Sequence, residues 1–192
     1  MGRPREFDRE TALEQAMELF WAQGYEATGM TELCDQMGLG RQSLYNTFGD
    51  KESLFQEALT HYGQRWLRPM VDLLTAPGSG LANVEAVLDF WEKRAQGGAS
   101  NGCLMANTIA EFGMKDPKLS HTLGAMLGQM ENAFFEALDR ARVDDELPAG
   151  RDPRTLARML TTLGQGLSAV GKLDPSGAFA RDAIASAREL LR

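Results

Sequence analysis

Apolar residues recur along this 192-residue chain at intervals of three and four, and no stretch alternates apolar and polar positions in the two-residue rhythm of a strand. The spacing predicts helices nearly throughout. The first spans about 9–23, with Leu13, Ala16, Met17, Phe20 and Trp21 on one face and Gly24 as its stop. Short helices over 30–37 and 41–48 follow, with Thr28 as candidate cap of the former and Gly38 as its terminator. Beyond Gly49-Asp50 a long helix is predicted over 51–75, its buried face marked by Leu54, Phe55, Ala58, Leu59, Tyr62 and Trp66. Helices over about 81–95, 103–115, 117–143, 154–173 and 176–192 complete an all-α chain of about nine helices. Asp8, Asp50, Asp116, Asp152 and Asp174 each precede a helix, where a carboxylate accepts bonds from orphan backbone amides and suits the positive end of the dipole. Proline follows the last three, at a position where its missing N–H costs nothing.

The junction "MGLGRQSLYNTF", residues 37–48, stands apart. Two short helices joined by a three-residue turn containing Gly form a helix-turn-helix pattern. Gly38 supplies positive φ, Leu39 tucks between the helices, and Gly40 opens the next one. Leu33, Cys34 and Met37 face inward from the first helix, Leu44 and Phe48 from the second. What remains outside is Arg41, Gln42, Ser43, Tyr45, Asn46 and Thr47. These are groove-reading types: Arg pairs with guanine edges, Gln and Asn with adenine, and hydroxyls with phosphates. A polar face on a short helix of any all-α domain has the same look, so the pattern alone leaves both readings open.

Charge complicates the nucleic-acid reading. The net charge is −7, and residues 1–68 carry seven Lys and Arg against eleven Asp and Glu, a net of −4. That argues against indiscriminate polyanion binding, but a few placed cations suffice for local phosphate contact. Bases gather at Arg3, Arg5, Arg9, Arg41 and Lys51, while Glu10, Glu14 and Glu18 are expected on the far face of the first helix. Two cysteines, Cys34 and Cys103, and two histidines, His61 and His121, show no metal-ligand spacing, so no metal and no cofactor is expected. The start "MGRPREFDRE" lacks the apolar core of an export signal and no apolar run is long enough to span a bilayer, so reduced thiols, a cytoplasmic location and no membrane partner are expected.

The segment "ALEQAMELFWAQGYEATGMTELCDQMGLGRQSLYNTFGDKESLFQEAL" resembles the TetR family of bacterial transcriptional regulators. The resemblance rests on F-x-x-x-G-Y/F-x-x-T at Phe20, Gly24, Tyr25 and Thr28. It continues in G-[VL]-x-x-x-x-L-Y-x-x-F-x-x-K-E-x-L at Gly38, Leu39, Leu44, Tyr45, Phe48, Lys51, Glu52 and Leu54. It covers about the first 60 residues; the remainder is similar only in general plan. The resemblance implies an N-terminal three-helix DNA-binding domain at 1–50 and a helical effector-binding and dimerisation domain at 51–192. It implies that Arg41, Gln42 and Ser43 meet base edges or nearby phosphates, that Tyr45 reaches a phosphate, and that Asn46 and Thr47 contact groove or backbone. Thr28 and Thr31 are expected on phosphate from the second helix, Lys51 on phosphate from the fourth, and Arg3 and Arg5 in the minor groove.

The second half carries two further stripes. Leu156, Met159, Leu160, Leu163, Leu167 and Val170, with Phe179, Ile184, Ala187 and Leu191 from the final helix, are read either as a dimer interface or as closure of the subunit's own core. The resemblance favours the dimer, with Leu160, Leu163, Leu167, Ile184 and Leu191 in it. Trp91, Met105, Phe112, Met126, Met130 and Phe134 fit a pliable pocket or simple core packing, and the family plan favours the pocket. Cys103 follows "GGASNG" at a predicted helix start, where the dipole favours thiolate. "GCLMANTIAEF" also resembles a segment of TetR-like repressors that respond to oxidants or electrophiles; the other reading is a small buried hydrophobe. Together these readings give a homodimeric, ligand-responsive repressor of a palindromic double-stranded DNA operator. The same fold with reversible apolar-ligand sensing is the alternative. An all-α carrier or enzyme is the competing class, and no catalytic constellation supports it.

Overall fold

The computed structural model describes residues 8–97 and 101–192. Arg3 and Arg5 of the predicted minor-groove arm lie outside these, as do residues 98–100 of the loop before Cys103. Among the described residues there are ten α-helices and one π-helical turn, and no strand.

The chain divides into two compact units, residues 1–65 and 66–192. The first holds α1 (Arg9–Gln23), α2 (Met30–Met37), α3 (Arg41–Phe48) and α4 (Lys51–Tyr62). Aspartates start two of these helices as expected: Asp8 accepts from the Glu10 amide at 3.1 Å and Asp50 from the Ser53 amide at 2.8 Å. α2 differs. Its N-cap is Gly29, because Thr28 is buried and turns its hydroxyl back onto the Gly24 carbonyl at 2.6 Å. α1 and α4 close over an aromatic core in which the Phe20 and Phe55 rings meet edge-on at 4.8 Å and Trp21 meets Tyr62 at 5.2 Å. α4 is thus part of the first unit, and the division falls after Arg65, later than the residue-50 boundary read from the sequence.

The long helix expected over 51–75 is interrupted. A π-helical turn, Gly63–Leu67, separates α4 from α5 (Arg68–Thr75). Pro69 in the first turn of α5 has no N–H to give to the preceding turn and its ring crowds the carbonyl four residues back, so the regular ladder is broken just upstream.

The second unit holds α5, α6 (Gly80–Gln96), α7 (Leu104–Phe112), α8 (Pro117–Val143), α9 (Pro153–Val170) and α10 (Ala178–Leu190). α8, with 27 residues, runs about 40 Å and packs on α5, α6, α7 and α9. Gly80 marks the tightest approach: a Cβ there would sit 2.0 Å from the Ala137 carbonyl oxygen, so any side chain would push α6 off α8. Asp116 and Asp152 cap α8 and α9. Asp174 was expected to cap the last helix, yet its N-cap is Gly177; Asp174 instead reaches in from outside and accepts from the Phe179 amide at 2.9 Å. Arg188 on α10 bonds to Glu85, Asp89 and Glu92 of α6 at 2.9, 2.5 and 2.8 Å. Bonds from Glu92 and Glu85 raise its pKa beyond the ordinary arginine range, so it stays charged at any working pH.

Candidate nucleic-acid interface

The turn between α2 and α3 is built from three residues with distinct duties. Gly38 takes the left-handed conformation, φ 63° and ψ 27°, in which a Cβ would be strained. That bend lets the Leu39 amide reach back to the Cys34 carbonyl at 2.9 Å and closes α2. Leu39 is buried, and the Gly40 carbonyl accepts from the Leu44 amide at 3.0 Å to open α3. Leu33, Leu44 and Phe48 fix the inner face, while Cys34 is only half-buried. From α1, the Arg9 guanidinium lies 4.8 Å over the Phe48 ring and pairs with Glu57 of α4 at 2.5 Å.

This packing leaves one face of α3 outward. Arg41, Gln42, Ser43, Tyr45 and Asn46 are exposed, and α3 carries no acidic residue. Gln42 donates from Nε2 to Asn46 Oδ1 at 3.0 Å. Thr47 is half-buried and donates to the Ser43 carbonyl at 2.8 Å. Thr31 is exposed on the first turn of α2. Lys51 opens α4 with its Nζ 4.3 Å over the Tyr25 ring, close to the α4 N-terminus. Thr28 does not fit the phosphate role implied for it, because its buried hydroxyl is already donated within the chain. Glu14 was expected on the far face of the first helix, and His61 shows no metal-ligand spacing in the sequence. They pair at 2.5 Å, with Arg65 Nε 3.3 Å from the same carboxylate, tying α1 to the end of α4 and the turn beyond it. Sequence spacing gives no sign of contacts that join positions 47 residues apart.

The expected effector residues scatter. Met105 and Phe134 are fully buried and Met126 and Met130 nearly so. Phe112 is half-buried on α7. Cys103 is buried at the N-cap of α7. Trp91 borders an opening. This is a cavity of about 60 Å³ shared with Arg94, Gly102, Gly164, Ser168 and Asp174. A Cβ on Gly164 would fall 2.7 Å from the Trp91 ring, so that glycine makes room for the indole.

A larger groove of about 500 Å³ lies between α7, α8 and α9, where no effector residue was expected. Ala106, Ile109, Leu127 and Ala169 give it aliphatic walls, and Glu131 and Arg158 mark its charged end. Desolvation works to raise the Glu131 pKa, but bonds from Arg158 and Arg154 outweigh it and hold the carboxyl below its ordinary value. Gln165 borders the groove with its Oε1 buried and without a hydrogen-bond donor among the described residues. Small and β-branched residues on facing helices leave this gap, and periodicity does not register it.

The expected dimer stripe also divides. Leu160, Ile184 and Leu191 are completely buried in their own subunit, a correction to their place in an interface. Leu163 and Leu167 are half-buried; Val170 and Phe179 are exposed and border the same small cavity as Leu167, and Leu173 and Leu190 are exposed as well.

Comparison with known proteins follows the same division of the chain. The family model described as "Bacterial regulatory proteins, tetR family" matches residues 12–58, and that described as "Tetracyclin repressor-like, C-terminal domain" matches 80–187. The uncharacterized HTH-type transcriptional regulator YezE of Bacillus subtilis (strain 168) is 33% identical over 178 residues, 90% of each chain. The HTH-type transcriptional repressor ComR of Escherichia coli (strain K12) is 30% identical over 171 residues, 87% of this chain and 80% of that one. Among solved structures, a cysteine mutant of the TetR family transcriptional regulator CifR, complexed with 26-bp double-strand operator DNA, superposes with a TM-score of 0.81. It is 33% identical and covers 100% of this chain and 98% of its own. Among the described residues no helix is long and apolar enough to cross a membrane.

Proposed function

The chain belongs to the TetR family of bacterial regulatory proteins, and from that premise we propose that this DNA-binding transcriptional regulator works as a homodimeric repressor in the cytoplasm, released from a palindromic operator by a small molecule. It is not an enzyme. The observation that carries the reading is the outward face of α3, which offers Arg41, Gln42, Ser43, Tyr45 and Asn46 with no acid among them. One eight-residue helix holds only a few base contacts, so affinity requires a second copy placed one helical turn of DNA away. The exposed Val170, Leu173, Phe179 and Leu190 supply an apolar surface for that pairing. Repression is supported by ComR, and operator binding by CifR.

Release requires that the effector bind two conformers with different affinity, one with its α3 helices matched to the groove spacing and one without. The groove beside α9 supports reversible sensing of an apolar molecule: its walls are aliphatic and the Gln165 carbonyl oxygen has no donor among the described residues, one that a ligand hydroxyl or N–H would supply. Sensing of an oxidant or electrophile at Cys103 rests on its place at the start of α7 and on a relative studied with its cysteines substituted.

A gel shift with the promoter beside the chain's own gene, joined to size measurement in solution, tests the proposal. A dimer that shifts that fragment in a sequence-dependent way is expected; a monomer that ignores it overturns the reading. Cys103→Ser separates the two sensing modes. Loss of electrophile-driven release with intact operator binding supports the thiol, and unchanged release supports the groove.

A further inference from the structure

The hydrogen bond between Gln42 and Asn46 divides labour on the reading face. The two residues sit one turn apart on α3, both exposed, and Gln42 Nε2 donates to Asn46 Oδ1 at 3.0 Å. With one lone pair of Oδ1 engaged by Gln42, the exposed Asn46 amide still has its Nδ2 hydrogens to donate and a second Oδ1 lone pair to accept. An adjacent donor and acceptor in one amide plane match the adenine edge in the major groove, where N7 accepts and N6–H donates. Of the neighbouring hydroxyls, Thr47 already donates to the Ser43 carbonyl, so it does not compete for Asn46.

We propose that Asn46 specifies one adenine of the operator half-site and that Gln42 is its positioning residue rather than an independent reader. This rests on the DNA-binding reading of α3 and adds to it which residue selects which base. Arg41, at the first position of the helix, is left for a separate contact.

Binding-site selection from random duplex DNA, run on the full-length wild type and on surface variants, tests it. The wild type should select an A·T pair at a position that Asn46→Ala makes indifferent. Asn46→Asp keeps the size but leaves only acceptors, so the preference there should change from adenine to cytosine, whose N4 amine donates. Gln42→Ala should weaken the same position, on the order of 10-fold in discrimination, and leave every other position unchanged. If Gln42→Ala abolishes preference at a second position, the two amides read separately and the proposal fails. It fails equally if Asn46→Ala and Asn46→Asp select the wild-type site. A wild type that enriches no sequence at all refutes the DNA-binding reading itself, which distinguishes the two failures. All three substitutions are at exposed positions, and unchanged helical circular dichroism confirms that each variant is folded.

Discussion

The two units of this chain meet the same physical demand, burying one face of each helix, and dispose of the opposite face differently. In the first unit the helices are short, the core is a compact knot of Phe20, Phe55, Leu44 and Phe48, and what is left over on α3 is a strip of polar side chains. In the second, α6, α8 and α9 are longer than any helix of the first, the core runs the length of α8, and what is left over is a groove, a small cavity and exposed apolar side chains. A polar remainder suits a polyanion and an apolar remainder suits a small molecule or a second subunit. Met105 and Phe134, which fit a pocket or core packing equally in the sequence, are both fully buried.

The largest expected effect probes whether both cores are equally structural. Phe20→Ala and Phe134→Ala each empty a fully buried site and should cost about 3–5 kcal/mol in denaturant unfolding. If Phe134→Ala instead leaves stability unchanged and alters effector affinity, Phe134 lines an effector site rather than supporting the core.

A smaller effect is expected at Arg188, which pairs from α10 with three carboxylates of α6. Arg188→Leu leaves Glu85, Asp89 and Glu92 to repel one another and should lower stability by about 1–3 kcal/mol, discounted for the partial exposure of the acids. The loss should appear in thermal melts and spare operator sequence preference, since Arg188 lies in the second unit.

Within the first unit, Arg41→Ala should reduce discrimination at its base pair roughly 10-fold, whereas Lys51→Ala should weaken all sequences alike and reduce the salt slope by about one. Equal loss of preference from both substitutions would erase the distinction between base-reading and phosphate contact. With few cations on the face, the total slope should stay shallow, and one implying a dozen phosphates per dimer contradicts the interface described.

The smallest effect is on pH. Asp152 has its pKa lowered from 3.8 by the Thr155 hydroxyl and then the Thr155 amide, and Asp8 likewise by the Thr11 hydroxyl and the Glu10 amide. A lowered folded-state pKa means the caps contribute fully above 3.8 and are lost as acid takes the pH below it and through the depressed values. Stability measured by denaturant at falling pH should decline in that window, and Asp152→Asn should flatten part of the decline. A profile that is identical in Asp152→Asn removes this cap from the account.

Most of the helices were legible in the sequence because their signals are local. The ranges of α1, α2 and α3 follow from apolar spacing and from Gly24, Gly38 and Gly49, and the reading face of α3 is simply what Leu44 and Phe48 leave outside. The π-turn before Pro69 and the Gly29 cap of α2 show where neighbouring backbone geometry overrode the nearest capping residue. Long-range pairings were not legible. The Glu14–His61 contact and the Arg188 cluster join positions that no window of the sequence brings together.

By itself the sequence determined which faces of which helices are apolar, and with them the all-α fold, the helix-turn-helix and the polar face presented by α3. Only the tertiary structure decided which apolar side chains meet one another. That choice placed Leu160, Ile184 and Leu191 in the core and Phe179 and Leu173 outside, and set the groove beside Gln165. The reason is physical: periodicity records that a side chain avoids water, and core, cavity wall and subunit interface all satisfy that condition equally well. What separates them is the volume left between helices, which depends on how all of them pack at once.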